Sequence, residues 1–219
     1  MNDFFLLGIF FSNGIFLYFR ILKIFVGDLV NKGPKSSQVL SFMIKNKDTC
    51  LSVIGNHDWF LCECYRNEEL CNQKKMHWIK EELNKEQISY LESLPFTISI
   101  PSLNCIIVHA GLKPGVSLEQ QNLKDLILMR NLVFVSEKDQ WSTSESVQEG
   151  LPWATIWSGP QHIYFGHDAT RKLQKESNAT GLDTGAVYGG HLTGLFISGQ
   201  RKGQFVTVKS FKVYKPIKA

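Results

Sequence analysis

The sequence predicts a mixed α/β fold, on two repeated features. Apolar runs of strand length stop on a glycine and then a polar residue: I-F-V ends at Gly27-Asp28, and V-I ends at Gly55-Asn56-His57-Asp58. Between these two runs lie a loop closed by Gly33-Pro34 and an amphipathic stretch, Q-V-L-S-F-M-I-K. Strand, loop, helix, strand is the repeating unit of α/β proteins.

Taken in order, residues 21–26 (I-L-K-I-F-V) read as a buried strand, and Ser36 or Ser37 as the cap of the first helix. Residues 49–54 form a second short strand, and residues 59–93 carry helical spacing. Residues 94–109 alternate as two paired strands, F-T-I-S-I and C-I-I-V. Residues 135–150 are polar and aperiodic and read as a surface loop. The remainder is strand-like: H-I-Y-F-G-H, then A-V-Y-G-G-H-L-T-G-L-F-I, then Q-F-V-T-V-K-S-F-K-V. With no internal repeat and no linker, the 219 residues predict one domain, 1–219, with a substantial core.

Composition narrows the function classes. A hydrophobic share of 43% and a charged share of 20% are ordinary for a globular chain. The formal charge of +4 comes from scattered Lys and Arg with no basic stripe, so no dedicated nucleic-acid surface is expected. Five cysteines, odd in number and without framework spacing, read as free thiols in a reducing, cytoplasmic compartment. The apolar opening, Met1 to Phe19, is interrupted by Asp3, Ser12, Asn13 and Gly14 and is shorter than the roughly twenty residues that span a bilayer. It reads as a buried helix, and no membrane insertion is expected.

Two further runs end like the first pair: I-I-V at His109-Ala110-Gly111 and I-Y-F at Gly166-His167-Asp168. Strand tips on one edge of an α/β sheet converge on a shared crevice, and glycine lets the chain turn there without a side chain in the way. The converging set is Asp28, Asn56, His57, Asp58, His109 and His167. Imidazoles, a carboxylate and an amide oxygen suit zinc, manganese or iron. A single strand-end histidine is usually a hydrogen-bonded structural residue, and a single Gly-Asp is usually a turn. Four such ends together point to a metal site.

The ordered set G-D-L-V-N-K-G-P, G-N-H-D, V-H-A-G and Y-F-G-H-D-A resembles the calcineurin-like metallophosphoesterases, in particular the ApaH-like phosphatases. L-K-D-L-I-L-M-R-N-L, W-A-T-I-W-S-G-P-Q-H and T-G-L-D-T-G-A-V-Y-G-G-H-L-T extend the resemblance over roughly residues 20–200. It implies two packed sheets flanked by helices and metal-dependent hydrolysis of phosphoester or phosphoanhydride bonds. It further implies that Asp28 bridges two divalent ions (Mn, Zn, Fe or Mg), that Asn56, His109 and His167 complete the second, and that His57 protonates the leaving oxygen. Lys32, Arg130 and Arg171 are the implied phosphate contacts. Asn31 stands where the related protein phosphatases carry an aspartate that orients the histidine, and Asp58 is the candidate replacement. The substrates implied are nucleoside polyphosphates, capped RNA ends, polyphosphate or phosphoproteins.

The family's first motif, G-D-x-H-G, ends the first strand and binds the first metal. No histidine precedes His57. The opening M-N-D-F-F-L-L resembles the helix start directly after that motif, so the expectation is a chain without the motif and its strand, holding one metal. The alternative reading is a catalytically impaired domain that binds partners. Trp59 is a candidate for stacking on a base and His191 for reaching substrate, while His77, His162 and Asp183 read as structural.

Overall fold

The computed structural model describes residues 3–7, 21–74 and 76–216. One sheet holds β1 (Asp3–Leu7), β2 (Ile21–Phe25), β3 (Cys50–Ser52), β12 (His191–Phe196) and β13 (Phe205–Lys209), in the order β13-β12-β1-β2-β3. The second holds β4 (Thr97–Ile100), β5 (Cys105–Val108), β9 (His162–Phe165), β10 (Gln174–Lys175) and β11 (Ala179–Gly181), in the order β10-β11-β9-β5-β4. A small third sheet, β7-β6-β8, is made of β6 (Asn131–Val135), β7 (Gln140–Ser144) and β8 (Leu151–Pro152). The helices are α1 (Ser36–Lys45), α2 (Asn56–Arg66), α3 (Glu68–Lys74), α4 (Trp78–Glu82), α5 (Lys85–Glu92), α6 (Leu123–Leu128) and α7 (Trp153–Ile156).

The alternation of side chains along a strand explains the layers. On β2, Ile24 joins a cluster with Cys105 and Ile107 of β5, Leu182 and Leu195, which fills the space between the two large sheets. The intervening Phe25, Ile106 and Val108 join the other cluster, with Val39, Leu40 and Met43 of α1 and Leu61 of α2. Both faces of β2 and β5 are therefore covered, which is why they read as unbroken apolar runs. Full burial of each such side chain contributes about 1.5–3 kcal/mol. Trp153, fully buried, packs edge-on to Phe165 with ring centroids 4.8 Å apart.

Three expectations are corrected. The first strand is present: Asp3–Leu7 runs parallel to β2, with Asp3 opposite Ile21 and Leu7 opposite Phe25, and antiparallel to β12. The opening residues are thus strand where a helix was expected, and residues 8–20 lie outside the described residues. In the sequence, Gly8-Ile9-Phe10-Phe11-Ser12 directly follows this strand, and this stretch contains no carboxylate and no imidazole. The polar stretch 135–150 is not all loop, because Gln140–Ser144 pairs with β6. The run from Ala186 is a tight 3-10 turn, Ala186–Tyr188, and β12 begins only at His191. All five cysteines are buried, unpaired thiols.

Candidate metal centre

The four predicted tips meet. Strands β2 and β3 are parallel neighbours in one sheet, and β5 and β9 are parallel neighbours in the other, so all four carboxyl ends face one crevice. Gly27 turns the chain at φ +90°, and a Cβ there would stand 2.6 Å from His109 Nδ1. Asp28 itself is left-handed at φ 56°, and His167 at φ 63°. Both depart from the usual backbone so that their side chains reach the crevice, a cost usually tolerated at functional positions.

Hydrogen bonding fixes which ring nitrogens face inward. His109 Nδ1 lies 2.6 Å from the Val26 carbonyl, and His167 Nε2 lies 3.1 Å from the Leu128 carbonyl. A carbonyl only accepts, so each outer nitrogen carries the proton and donates, leaving His109 Nε2 and His167 Nδ1 as lone pairs. Those two atoms each stand 3.0 Å from Asn56 Oδ1, and His109 Nε2 is 3.4 Å from Asp28 Oδ1. Burial, together with His109 and Arg130, holds His167 well below its ordinary pKa, which keeps that ring neutral. Electron-rich acceptors therefore point at one small volume, an arrangement that a cation relieves, and the outward N–H to carbonyl bond is the usual way an imidazole ligand is held. Among the described residues no three His, Cys, Asp or Glu side chains alone form a metal group. The set closes only through the amide oxygen of Asn56.

Burial would raise the Asp28 carboxyl, but His109, His57, His167 and the His57 backbone N–H outweigh it and bring the pKa down to about 2. That N–H donates to Asp28 Oδ1 at 3.0 Å. The His57 ring stands beside the set, with Nε2 4.0 Å from Asp28 Oδ2. Its Nδ1 is 3.0 Å from Asn31 Nδ2, so the neutral ring accepts there and carries its proton on Nε2, the nitrogen nearer the carboxylate.

Asp58 does not take up the orienting role expected of it. Its Oδ1 accepts from Leu29 N (2.8 Å) and Val30 N (3.2 Å), and its Oδ2 accepts from Gly55 N (2.9 Å). Fully buried, it ties the loop carrying Asp28 to the tip carrying Asn56, and Asn31 is the residue that meets His57. Arg171 is also reassigned. Its guanidinium is paired with Asp168 and donates to Asn131 Oδ1 (2.7 Å) and the Val147 carbonyl (3.2 Å), so it clamps the third sheet instead of facing substrate.

A cavity of about 470 Å³ opens beside Asp28, Asn56, His57 and His167. Lys32 and Arg130, the implied phosphate contacts, line it, with Lys32 Nζ donating to the Tyr188 hydroxyl at 2.7 Å and Arg130 Nη1 to the Glu145 carbonyl at 3.0 Å. Lys172, Lys215, Tyr188 and Asp183 line it too, and no sequence pattern marks them for it. Trp59 packs on Phe96 with ring centroids 5.5 Å apart, outside this cavity, and His191 is exposed at the start of β12.

Asp183 makes the turn bond expected of it, accepting from Gly185 N at 3.0 Å. Burial, with Asp28 and Asp168 adding, pushes its carboxyl up to about 6 against the Gly185 N–H and Lys32. Folding thus favours the protonated form. The resulting stabilisation is full below the unfolded pKa of about 3.9 and is lost as pH rises through the folded value. Chelator-treated protein is expected to lose on the order of 2–3 kcal/mol from this group between pH 4 and 7. Urea unfolding at the two pH values checks this against Asp183→Asn, in which that part of the fall should be missing.

The fold and the crevice define a two-sheet α/β protein with a buried nitrogen and oxygen donor set. The sequence model of the calcineurin-like phosphoesterase family matches residues 18–192, and the chain belongs to that family of phosphoric-ester hydrolases. Among its relatives, the zinc-dependent endopolyphosphatase of Saccharomyces cerevisiae is 22% identical over 85% of this chain and 70% of its own length. The asymmetrical bis(5'-nucleosyl)-tetraphosphatase of Bacillus subtilis is 27% identical over 80% of this chain and 75% of its own. The symmetrical enzyme of Coxiella burnetii (strain CbuK_Q154) is 29% identical over 78% and 77%. A crystal structure provisionally assigned as a diadenosine tetraphosphatase superposes with a TM-score of 0.80, at 30% identity over 96% of this chain and 94% of that one. Among the described residues no helix is long and apolar enough to cross a membrane.

Proposed function

We propose that this chain, acting as one domain, hydrolyses phosphoanhydride and phosphoester bonds of nucleoside polyphosphates with a divalent cation held by Asp28, Asn56, His109 and His167. The observation that carries the reading is the convergence of His109 Nε2, His167 Nδ1 and Asp28 Oδ1 on the Asn56 amide oxygen, each imidazole fixed by a carbonyl behind it. When bound, the cation supplies Lewis acidity and an activated nucleophile. Lys32 and Arg130 neutralise phosphoryl oxygens at the same cavity wall. His57, as an imidazolium whose Nδ1–H the Asn31 amide oxygen would accept once turned toward it, gives its Nε2 proton to the departing oxygen and is left as the neutral ring. The names of the bis(5'-nucleosyl)-tetraphosphatase relatives favour nucleoside polyphosphates over phosphoproteins. Five unpaired thiols suit a cytoplasmic setting.

A second reading, a fold retained for binding without turnover, draws on the sequence Gly8-Ile9-Phe10-Phe11-Ser12, which follows β1 and carries no carboxylate and no imidazole. One experiment separates the two. The purified chain, loaded with manganese, is assayed on p-nitrophenyl phosphate and on diadenosine tetraphosphate, with manganese binding followed by calorimetry. Manganese-dependent turnover that a chelator abolishes supports hydrolysis. Manganese binding without turnover on either compound overturns it in favour of the binding module.

A further inference from the structure

We infer that Lys172 and Lys215 form a second anion subsite at the mouth of the cavity, which grips phosphoryl groups beyond the one being cleaved. The ligand class is a linear chain of three or more phosphoryl groups. The inference rests on the phosphoesterase reading above and extends it to chain length.

The cavity is lined by four cations, and they differ in depth. Lys32 and Arg130 are half-buried beside His57 and Asn56, whereas Lys172 and Lys215 are exposed at its edge. Lys32 is already bonded to Tyr188 and Arg130 to a carbonyl. Neither Lys172 nor Lys215 has a carboxylate partner among the described residues. Four cations against the two carboxylates of Asp28 and Asp183 leave this concave space with an excess of positive charge, which favours entry of a polyanion. A single phosphate beside Asp28 meets only the inner pair, while each further phosphoryl group extends toward the outer pair.

Both outer lysines sit on anchored backbone. Lys172 is held at φ 60° directly after Arg171, whose side chain is bonded to Asp168, Asn131 and the Val147 carbonyl. Lys215 lies on the segment after β13, which folds back across the turn at Ala186–Tyr188: Tyr214 N and Lys215 N both donate to the Val187 carbonyl, at 3.0 and 3.1 Å. Val213 packs against Gly189 so closely that a Cβ there would meet it at 2.8 Å. Lys215 and Pro216 line the cavity from this strap. Anchored backbones limit the ordering cost of gripping a ligand.

The test uses the full chain and the double variant Lys172→Gln/Lys215→Gln, with Lys172→Arg/Lys215→Arg as the charge-conserving control. Substrates are tripolyphosphate, diadenosine tetraphosphate and p-nitrophenyl phosphate, with manganese present. The ratio of kcat/KM for tripolyphosphate to that for p-nitrophenyl phosphate is expected to fall on the order of tenfold in the glutamine variant, through KM, and to recover with arginine. A matching fall for diadenosine tetraphosphate assigns nucleoside-capped chains to the subsite, and a fall for tripolyphosphate alone assigns inorganic ones. An unchanged ratio for both overturns the inference. If no substrate turns over, the hydrolytic reading has failed by itself, and the subsite is then read by calorimetric binding of tripolyphosphate. There, a tenfold weaker affinity in the glutamine variant supports the subsite, and equal affinity overturns it.

Discussion

Asp28→Asn is expected to lower manganese-dependent phosphate release by on the order of 10³-fold or more, with the fold intact. Among the four residues that converge in the crevice, Asp28 alone carries a formal negative charge, and Asn56, His109 and His167 present neutral lone pairs. A doubly charged ion taken from water into a buried site needs that charge. The His57 backbone N–H already donates to this carboxyl and favours its ionised form. Asparagine has the same shape and can still accept from the His57 backbone N–H through its oxygen, so the loop geometry should persist. A second measurement does not depend on turnover. Manganese at about 100 times its Kd should stabilise the wild-type protein by about 2.7 kcal/mol, and the variant should show little of that shift. Retention of both the stabilisation and turnover within tenfold would remove Asp28 from the set.

Legibility in the sequence tracks how local the controlling physics is. The strand tips can be read because a glycine and a polar residue after an apolar run report a local backbone demand, and Gly27-Asp28 and Gly55-Asn56 both meet it. The first strand escapes such a reading because F-F-L-L-G-I-F-F is a continuous apolar run, which periodicity alone does not assign to helix or strand. Strand β7 escapes it for the opposite reason: its residues, Q-W-S-T-S, are mostly polar because the small sheet leaves them only partly buried. Asp58 follows His57 directly, and adjacency suggests contact. On helix α2, however, successive side chains diverge around the axis, so Asp58 turns to the Leu29 and Val30 amides while His57 meets Asn31. The carbonyl of Leu128 behind His167 and the return of Lys215 to the cavity are long-range consequences of the fold, and no local pattern announces them.

Gly55→Ala tests the convergence of the tips as a matter of packing, independent of any metal. Gly55 has an ordinary extended backbone, φ −100°, so alanine meets no conformational penalty of its own there. A Cβ would nevertheless stand 2.3 Å from both the backbone nitrogen and Oδ1 of Asp28, and 2.9 Å from His109 Cε1. The first of these is main chain, and the Asp28 loop is pinned by the three amides that Asp58 holds, so little can yield without parting the tips. The expected cost is about 3–5 kcal/mol, at the upper end for a single methyl in a packed interior, together with loss of manganese binding. Gly115→Ala supplies the contrast. Its backbone is left-handed at φ +75° but nothing lies within 4 Å of the added Cβ, so it should cost only about 1–2 kcal/mol of backbone strain. Urea midpoints at constant m-value compare the two variants. Equal destabilisation would mean that Asp28 and Gly55 do not pack against each other, and the donor set that depends on their contact would lose its structural basis.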